Sequence, residues 1–280
     1  MGVQRIVQLR EGEAPALVAA LGTVALWSSA FVGIRSAGRS LSPEALALGR
    51  LLVSSAALGA FALVRREALP PRRDFARIAC YGVLWLVVYN IVLNEAEQRV
   101  DAGTAAMLVN IGPVLIALLA GCVVAFAGTA IIAVATSGGG VAASWGAVLC
   151  VVAAFAYAAA VIVQKPVLLQ ASAFQVTWIA CTVATIVCLP LTPQLLHDLR
   201  GASGSSIAWT VYLGVFPTAV GFVLWAYALR RTTAGRMGSM TYLVPPIAIA
   251  LGWAFLGETP PLLAVAGGAL CLAGVVLARR

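Results

Sequence analysis

Charged side chains are scarce in this chain of 280 residues, making up only 10% of it. A soluble domain carries about 25% charged residues, so this sequence cannot cover a normal water-exposed surface. Hydrophobic residues make up 62%, and the mean hydropathy is +1.00. A lipid bilayer suits such a composition, and each helical crossing takes about 20 apolar residues. The sequence therefore predicts an integral membrane protein.

Histidine is nearly absent, with His197 as the single example, and no two of the six cysteines form a C-x-x-C pair. One histidine and scattered cysteines in apolar segments cannot build a zinc site. No nucleophile and base stand together, as a membrane-embedded enzyme would require, and no charged ring marks a channel. We therefore expect no metal, no other cofactor and no enzymatic activity.

The net charge of +8 comes from short basic clusters between apolar segments. This distribution is typical of membrane loops and lacks the basic face of a nucleic-acid-binding protein. The expected partners are the lipid bilayer and a small-molecule solute, and the oligomeric state stays open. Arginine supplies 17 of the 18 basic residues, which together with abundant Ala, Gly and Val is typical of a GC-rich bacterial genome.

Ten apolar segments predict an all-α integral membrane protein of about ten transmembrane helices. They cover residues 16–34, 44–64, 75–93, 103–120, 121–135, 145–164, 174–191, 206–229, 233–256 and 261–278. Most are long enough to cross as helices, and helices satisfy every backbone group within lipid. Residues 1–15 are predicted to be a cytoplasmic N-terminus. The first apolar segment is interpreted as a span rather than a cleaved signal peptide, because nine more follow.

The basic residues indicate the orientation of the chain. With ten spans and a cytoplasmic N-terminus, 13 basic residues fall inside and 4 outside, while Arg50 lies within a span. Cytoplasmic loops of membrane proteins carry such an excess of Arg and Lys. We expect a multi-pass protein of a bacterial inner membrane with both termini in the cytoplasm.

The chain contains two related halves. Ala102-Gly103 and Pro113 recur later in the chain, with the same spacing between them, as Ala234-Gly235 and Pro245. The first half is predicted over residues 16–135, a linker over 136–144, and the second half over 145–278. The loop preceding Ala102 is rich in acidic residues, whereas the equivalent loop is rich in arginine, so equivalent loops face opposite sides. Five spans per copy would invert the second copy, an arrangement typical of secondary transporters.

The first copy is shorter than the second. The stretch from Pro113 to Gly128 is only about half as long as the equivalent stretch from Pro245 to Gly274. The polar turn over residues 257–261 has no counterpart within residues 103–135. Two short crossings there, hinged near residues 120–122, preserve the excess of positive charge inside. One tilted or kinked span, and a damaged copy, are the alternatives.

Several motifs follow one another in a specific order. They are Trp27–Phe31, Ser42-Pro43, Arg50, residues 98–106 and Pro113 in the first copy, and Tyr227–Leu229, Val244–Pro246 and Gly257-Glu258 in the second. Together they resemble the drug/metabolite transporter superfamily, EamA type, over residues 16–278. The resemblance implies a ten-helix carrier with a central cavity between inverted halves, which exports small metabolites, amino acids or drugs by alternating access. The Gly-Glu turn missing from the first copy leaves a non-transporting remnant as the alternative.

Polar residues inside the apolar segments are candidates for the binding cavity, because they are costly in a membrane. Asn110 and Tyr242 each precede a proline by three residues, Pro113 and Pro245 respectively. A proline frees a backbone carbonyl one turn upstream, and interrupted helices in both halves of a transporter point to its site. We therefore predict that Asn110 and Tyr242 are paired substrate contacts beside two helix breaks.

Four further residues complete the set of candidates. Arg50 in the second segment is interpreted as a cavity cation or as a tie between helices, and Asn90 lies deep in the third segment. Trp27 and Tyr157 occupy similar places in segments one and six, where they line the cavity or anchor the interface.

The remaining aromatic and acidic residues are assigned to the membrane boundary. Interfacial anchoring is expected for Trp85, Trp145, Trp209 and Trp253. Glu95 and Glu97 are interpreted as solvated charges on an outer loop, with proton coupling as the alternative.

Overall fold

Eight helices form the part of the chain that this computed structural model describes, residues 2–112 and 141–258. They are α1 (Gly2–Ala37), α2 (Pro43–Arg65), α3 (Arg72–Ala96), α4 (Ala102–Val109), α5 (Val141–Val167), α6 (Ala173–Gly201), α7 (Gly204–Arg231) and α8 (Ala234–Leu256). Seven of them, all except α4, are long and apolar enough to cross a membrane. The predicted all-helical membrane protein is confirmed. Residues 113–140 and 259–280 lie outside the described residues, so ten crossings stay a prediction.

Helix starts recur at a nearly constant offset along the chain. Ser42 and its counterpart Ser172 each accept a hydrogen bond from the backbone N–H three residues later. Asp101 and its counterpart Thr233 do the same, at the offset that also relates Pro113 to Pro245. Such caps satisfy one of the backbone donors that the first turn of a helix leaves free. Equivalent residues therefore begin equivalent helices in the two halves.

Two glycines allow equivalent pairs of helices to approach closely. A Cβ atom added to Gly82 of α3 would lie 2.9 Å from the backbone oxygen of Ala180 in α6. A Cβ atom added to Gly214 of α7 would lie 2.8 Å from the backbone oxygen of Arg50 in α2. Small residues at such crossings bring backbones into van der Waals contact within a membrane. The packing of α3 on α6 thus repeats in the packing of α7 on α2.

Helices α1 and α5 run in opposite directions. Arg35, near the end of α1, donates to the backbone carbonyl of Glu97, the first residue after α3. Gly146, near the start of α5, packs against the carbonyl of Ala96 at the same place. Lys165 follows Gly146 in the same helix, and the rise of about 1.5 Å per residue separates the two by about 28 Å. We call the two ends of the bundle the Arg35 end and the Lys165 end.

The outer surface of the bundle carries large apolar side chains. Leu63, Val64, Trp253 and Phe255 are all exposed, with Trp253 at 67%. In a bilayer such side chains meet lipid tails and carry no penalty, because exposure to lipid replaces exposure to water. The exposed apolar surface fits a helical bundle that lies within a membrane.

Candidate functional site

Both halves contribute side chains to an aromatic cluster in the middle of the bundle. The cluster consists of Trp27 of α1, Trp85 of α3, Tyr157 of α5, and Phe222 and Trp225 of α7. Trp85 lies at its centre, with its ring centroid 4.8 Å from Tyr157 and 5.1 Å from Phe222. Aromatic pairs at these distances contribute about 0.5–1.5 kcal/mol each beyond the area they bury. The cluster holds four helices together.

A cavity of about 30 Å³ lies beside this aromatic cluster. Its walls are formed by Trp27, Phe31, Trp85, Tyr89, Val109, Asn110, Tyr157, Thr241 and Val244. We call it the central pocket. It has room for about one or two water molecules, whereas sites for small organic ligands measure about 300–1,000 Å³. A solute would therefore enter only after the surrounding helices move apart.

Two polar atoms of the central pocket have unused hydrogen-bonding capacity. The amide oxygen of Asn110 is buried and has no hydrogen-bond partner among the described residues. The buried hydroxyl of Tyr157 lies near the hydroxyl of Thr241 but makes no well-aligned hydrogen bond among those residues. The amide nitrogen of Asn110 donates to the carbonyl of Ala106 at 3.0 Å, which fixes the side chain. Buried polar groups are normally paired, and an unpaired one costs about 1–3 kcal/mol. These two groups could be paired by a ligand in the central pocket.

The candidate contacts Asn110 and Tyr242 lie at equivalent interruptions of two helices. α4 ends at Val109, and α8 changes to a 3-10 turn over Thr241–Leu243, where its hydrogen bonding tightens. Asn110 lines the central pocket, but in α8 the lining residues are Thr241 and Val244, while Tyr242 between them is half-buried.

Pro113 and Pro245 are the two predicted helix breaks. Pro245 is buried in the first turn of the helical segment Val244–Leu256, a position that proline tolerates because the first N–H groups of a helix have no partner. Pro113 lies outside the described residues. The residue before it, Gly112, lies directly against Tyr157, because an added Cβ atom would overlap that ring.

Arg50 and Asn90 are both buried and bonded to widened segments of helix. Residues Gly82–Tyr89 of α3 and Gly214–Val220 of α7 are π-helical, and they begin at equivalent positions of the two halves. Arg50, 3% exposed, donates to the hydroxyl of Thr218 at 3.0 Å. Asn90 donates to backbone carbonyls of its own helix, at 3.0 Å and 3.2 Å. π-Helical turns leave carbonyls without their usual partners and are frequent at functional sites.

The interfacial assignment of Trp85 was wrong. The side chain is 1% exposed and lies at the centre of the aromatic cluster. An anchor belongs at the end of a span, whereas Trp85 lies in the middle of the apolar segment 75–93. Its place in the middle of that segment was the feature of the sequence that indicated a buried side chain. Phe222, Trp225 and Thr241 were not predicted, and their uniformly apolar surroundings gave no sequence signal for them.

Equivalent cations bind backbone carbonyls at opposite ends of the bundle. Arg35 of α1 donates to the carbonyl of Glu97 after α3, and Lys165 of α5 donates to the carbonyl of Leu229 at the end of α7. Lys165 is the counterpart of Arg35 in the second half of the chain, and Leu229 is the counterpart of Glu97. Both pairs are related by nearly the same offset that relates the two halves. We call these the Arg35 latch and the Lys165 latch, because each ties two helices together at one end.

The two latches differ in their acidic partners. Arg35 also pairs with Glu258 after α8, with its Nε atom 2.8 Å and its Nη2 atom 2.6 Å from the same carboxylate oxygen. The other oxygen of Glu258 accepts from the backbone N–H of Ala102 at 3.1 Å. Lys165 binds carbonyl oxygens of Leu229 and Thr232. The sequence contains no acidic residue between Asp101 and Asp198, so the shortened part of the first copy supplies no counterpart of Glu258.

Comparison with known proteins places these features in a family. The model of the EamA-like transporter family matches twice, over residues 14–143 and 144–280. A probable terminal-alkyne amino-acid exporter of Streptantibioticus cattleyicolor is 38% identical over 272 residues, which cover 92% of this chain and 91% of the relative. The uncharacterized transporter YdfC of Bacillus subtilis is 30% identical over 266 residues, covering 90% and 87% respectively.

The fold is also found in a solved crystal structure. It superposes with a TM-score of 0.68 at 19% sequence identity, over 96% of this chain and 99% of the other. The match with the family in both halves, together with relatives named as transporters in bacteria, confirms the resemblance drawn from the motifs. The chain is a multi-pass membrane protein and belongs to the EamA-like transporter family.

Proposed function

We propose that the chain is a secondary carrier that exports an amino acid with an apolar side chain by alternating access. The observation that carries the proposal is the central pocket, in which both halves of the chain surround two buried polar groups with unused hydrogen-bonding capacity among the described residues. A two-fold repeat with a site between its halves is the usual design of such carriers.

The proposed architecture has ten helices in two inverted repeats of five. The opposite directions of α1 and α5, and the recurrence of helix caps at a nearly constant offset, support it. The excess of basic residues inside supports cytoplasmic termini, so the Arg35 end would face outward and the Lys165 end would face the cytoplasm. The repeats would occupy residues 16–135 and 145–278, with the linker 136–144 between them.

The number of crossings can be tested by fusing topology reporters after Ser137 and after Arg280. We expect an outside location at Ser137 and an inside location at the C-terminus, because two short crossings within 103–135 keep the positive charge inside. The reverse result at both positions would mean a single crossing and would break the inverted pair.

The chemistry of the central pocket favours an amino acid with an apolar side chain. The amide oxygen of Asn110 can accept a hydrogen bond from an ammonium group, and the faces of Trp27 and Trp85 attract a cation at close range. Arg50, buried beside the π-helical segment of α7, could receive a carboxylate once the helices separate. The aromatic rings would cover an apolar side chain. The relative named as an amino-acid exporter supports the same class.

The two latches supply a means of closing each end in turn. When the Arg35 latch is formed, α1, the end of α3 and the end of α8 are tied together, and the pocket is closed to the outside. When the Lys165 latch is formed, α5 and the end of α7 are tied together, and the pocket is closed to the cytoplasm. Alternating access requires that one latch open while the other stays closed.

Binding to the purified protein in nanodiscs would test the site, with tryptophan fluorescence as the signal and L-leucine and L-propargylglycine as probes. We expect saturable quenching, weakened about tenfold by Asn110→Ala or Tyr157→Phe, because each loses one hydrogen bond to a buried polar or charged group. Trp253→Phe, in an exposed side chain, is the matched control and should leave affinity unchanged. Equal affinities in all four proteins would remove the central pocket as the site.

A non-transporting remnant is the second candidate. It is favoured by the shortened first copy, which leaves Lys165 without an acidic partner from residues 102–197. A remnant would show no exchange of solute across a membrane even where it still bound amino acids, so flux measurements separate it from the carrier.

A further inference from the structure

We propose that Glu97 is a proton-binding site that controls the Arg35 latch, so that the closure of the outer end of the carrier depends on external pH. The proposed binding of a proton by Glu97 is inferred from the structure of the Arg35 end alone. Its consequence for transport rests on the proposed function.

The carboxylate of Glu97 is buried without a partner. The side chain is 1% exposed, and neither of its carboxylate oxygens has a hydrogen-bond partner among the described residues. Glu97 forms part of the wall of a cavity of about 330 Å³ at the Arg35 end, together with Arg35, Asn94 and Glu258. An ionised carboxylate in such a place would need a cation or several donors to offset its lost hydration.

The nearest cation is already engaged with another acid. Arg35 pairs with the carboxylate of Glu258 and reaches only the backbone carbonyl of Glu97. One positive and one negative charge therefore balance each other without Glu97. A protonated Glu97 leaves this balance intact, whereas an ionised one adds an unmatched negative charge beside it.

Several ionisable groups among the described residues surround Glu97. The electrostatic partners are Arg35 of α1, Arg50 of α2, Tyr89 of α3, Asp101 before α4, Cys150 of α5 and Glu258 after α8. Arg39 lines the same cavity, and Glu95 and Arg99 on either side of Glu97 pair with each other. Burial raises the pKa of Glu97 well above its usual range, Arg35 and Arg50 lower it, and Glu258 and Asp101 raise it further. The net direction is upward, because burial is the largest of these effects.

The ligand that fits this position is a proton rather than a larger cation. Both carboxylate oxygens are buried behind the surface of the cavity wall, so an ammonium group or a metal ion inside the cavity would not contact them. A proton needs no such space, and the partly exposed side chains of Arg35 and Glu258 line the same cavity as Glu97. The equivalent residue of the other half is Leu229, which is fully buried. The equivalent position of the other half is thus both buried and uncharged.

The charge of Glu97 changes the strength of the latch. When Glu97 ionises, its carboxylate competes with Glu258 for Arg35 and draws water toward the end of α3. Because the pKa is raised in the closed bundle, the stabilisation of the closed form is fully present below about pH 4.3, the ordinary pKa of Glu, and is lost as pH rises through the raised value. Acid outside the cell should therefore close this end.

Infrared difference spectroscopy between acidic and alkaline pH would test the proton site directly, whether or not the protein transports anything. We expect a protonated carboxyl band that persists well above about pH 4.3 in the wild-type protein and is absent in Glu97→Gln. Glu95→Gln, which removes a half-exposed acid paired with Arg99, is the matched control and should keep the band. Glu97→Leu provides the same test if the glutamine variant does not fold.

Exchange of labelled L-leucine in proteoliposomes, with external pH varied at constant internal pH, would test the latch. Wild type and Glu95→Gln should slow several-fold in acid, while Glu97→Gln should be insensitive to external pH. A carboxyl band that survives in Glu97→Gln, or an unchanged pH dependence in that variant, would overturn the proposal. Absence of exchange in every protein, with the infrared band as expected, would instead refute the proposed function.

Discussion

Replacing Trp85 with alanine should lower the free energy of unfolding by about 3–5 kcal/mol, the usual cost of removing a large buried aromatic side chain. Trp85 is 1% exposed and contacts the rings of Trp27, Tyr157 and Phe222. Its removal would leave a cavity among helices of both halves, and packing is the main source of cohesion between helices in a membrane. Because the same ring lines the central pocket, binding of L-leucine should also be lost.

The free energy of unfolding would be measured from a denaturation curve in detergent, and the melting temperature would be determined for the same variants. Trp253→Ala is the control, because that tryptophan is 67% exposed and its replacement should change stability by less than about 0.5 kcal/mol. If the two variants lost equal stability, Trp85 would not be the centre of the packing. Its assignment to the membrane interface would then be correct after all.

Neutralising the latches should open the two ends of the bundle independently. Arg35→Met removes the bonds to Glu97 and Glu258, and Lys165→Met removes those to Leu229 and Thr232. Hydrogen bonds to charged groups contribute about 1.5–3 kcal/mol, so each variant should shift the population of the open form at its own end roughly tenfold or more.

A single cysteine at Thr241, in a protein freed of its native cysteines, would report which end is open. An impermeant maleimide should label it faster from outside in Arg35→Met and faster from the cytoplasmic side in Lys165→Met. The exposed Arg200→Met is the matched control for lost charge. Faster labelling from the same side in both variants would rule out latches at opposite ends.

The two ends should also differ before any residue is changed. The Arg35 latch has Glu258 as an acidic partner, whereas the shortened first copy provides no acidic residue between Asp101 and Asp198 for Lys165. Bonds from a cation to neutral carbonyls are weaker than bonds to a carboxylate. Both latches are formed in this structure, and the Lys165 latch should therefore be the easier of the two to open, so the shortened first copy would favour opening toward the cytoplasm.

The helices and their starts could be predicted because their causes are local. Apolar length decides which segments cross a membrane, and Ser42 followed by Pro43 shows how a cap residue and a first-turn proline begin a helix. The repeated offset was visible in Ala102-Gly103 and Pro113, and it reappears in helix caps, glycine contacts and π-helical segments.

The candidate site was only partly accessible from sequence, because uniformly apolar helices do not reveal which face points inward. Trp27, Asn110 and Tyr157 line the central pocket, whereas Asn90 turns to its own backbone and Thr241 takes the place expected of Tyr242. A π-helical turn inserts a residue and rotates every later side chain, which no periodicity argument anticipates. Arg35 and Glu97 lie far apart in the sequence, so their contact depended on the fold.

Counterflow in proteoliposomes would show whether this chain is an alternating-access carrier. Vesicles loaded with unlabelled L-leucine or L-propargylglycine would be diluted into a trace of the labelled amino acid. We expect transient, saturable accumulation of label that requires amino acid inside, because loaded and empty carriers reorient at different rates. No accumulation, or a flux that is linear in concentration and indifferent to the internal amino acid, would contradict it.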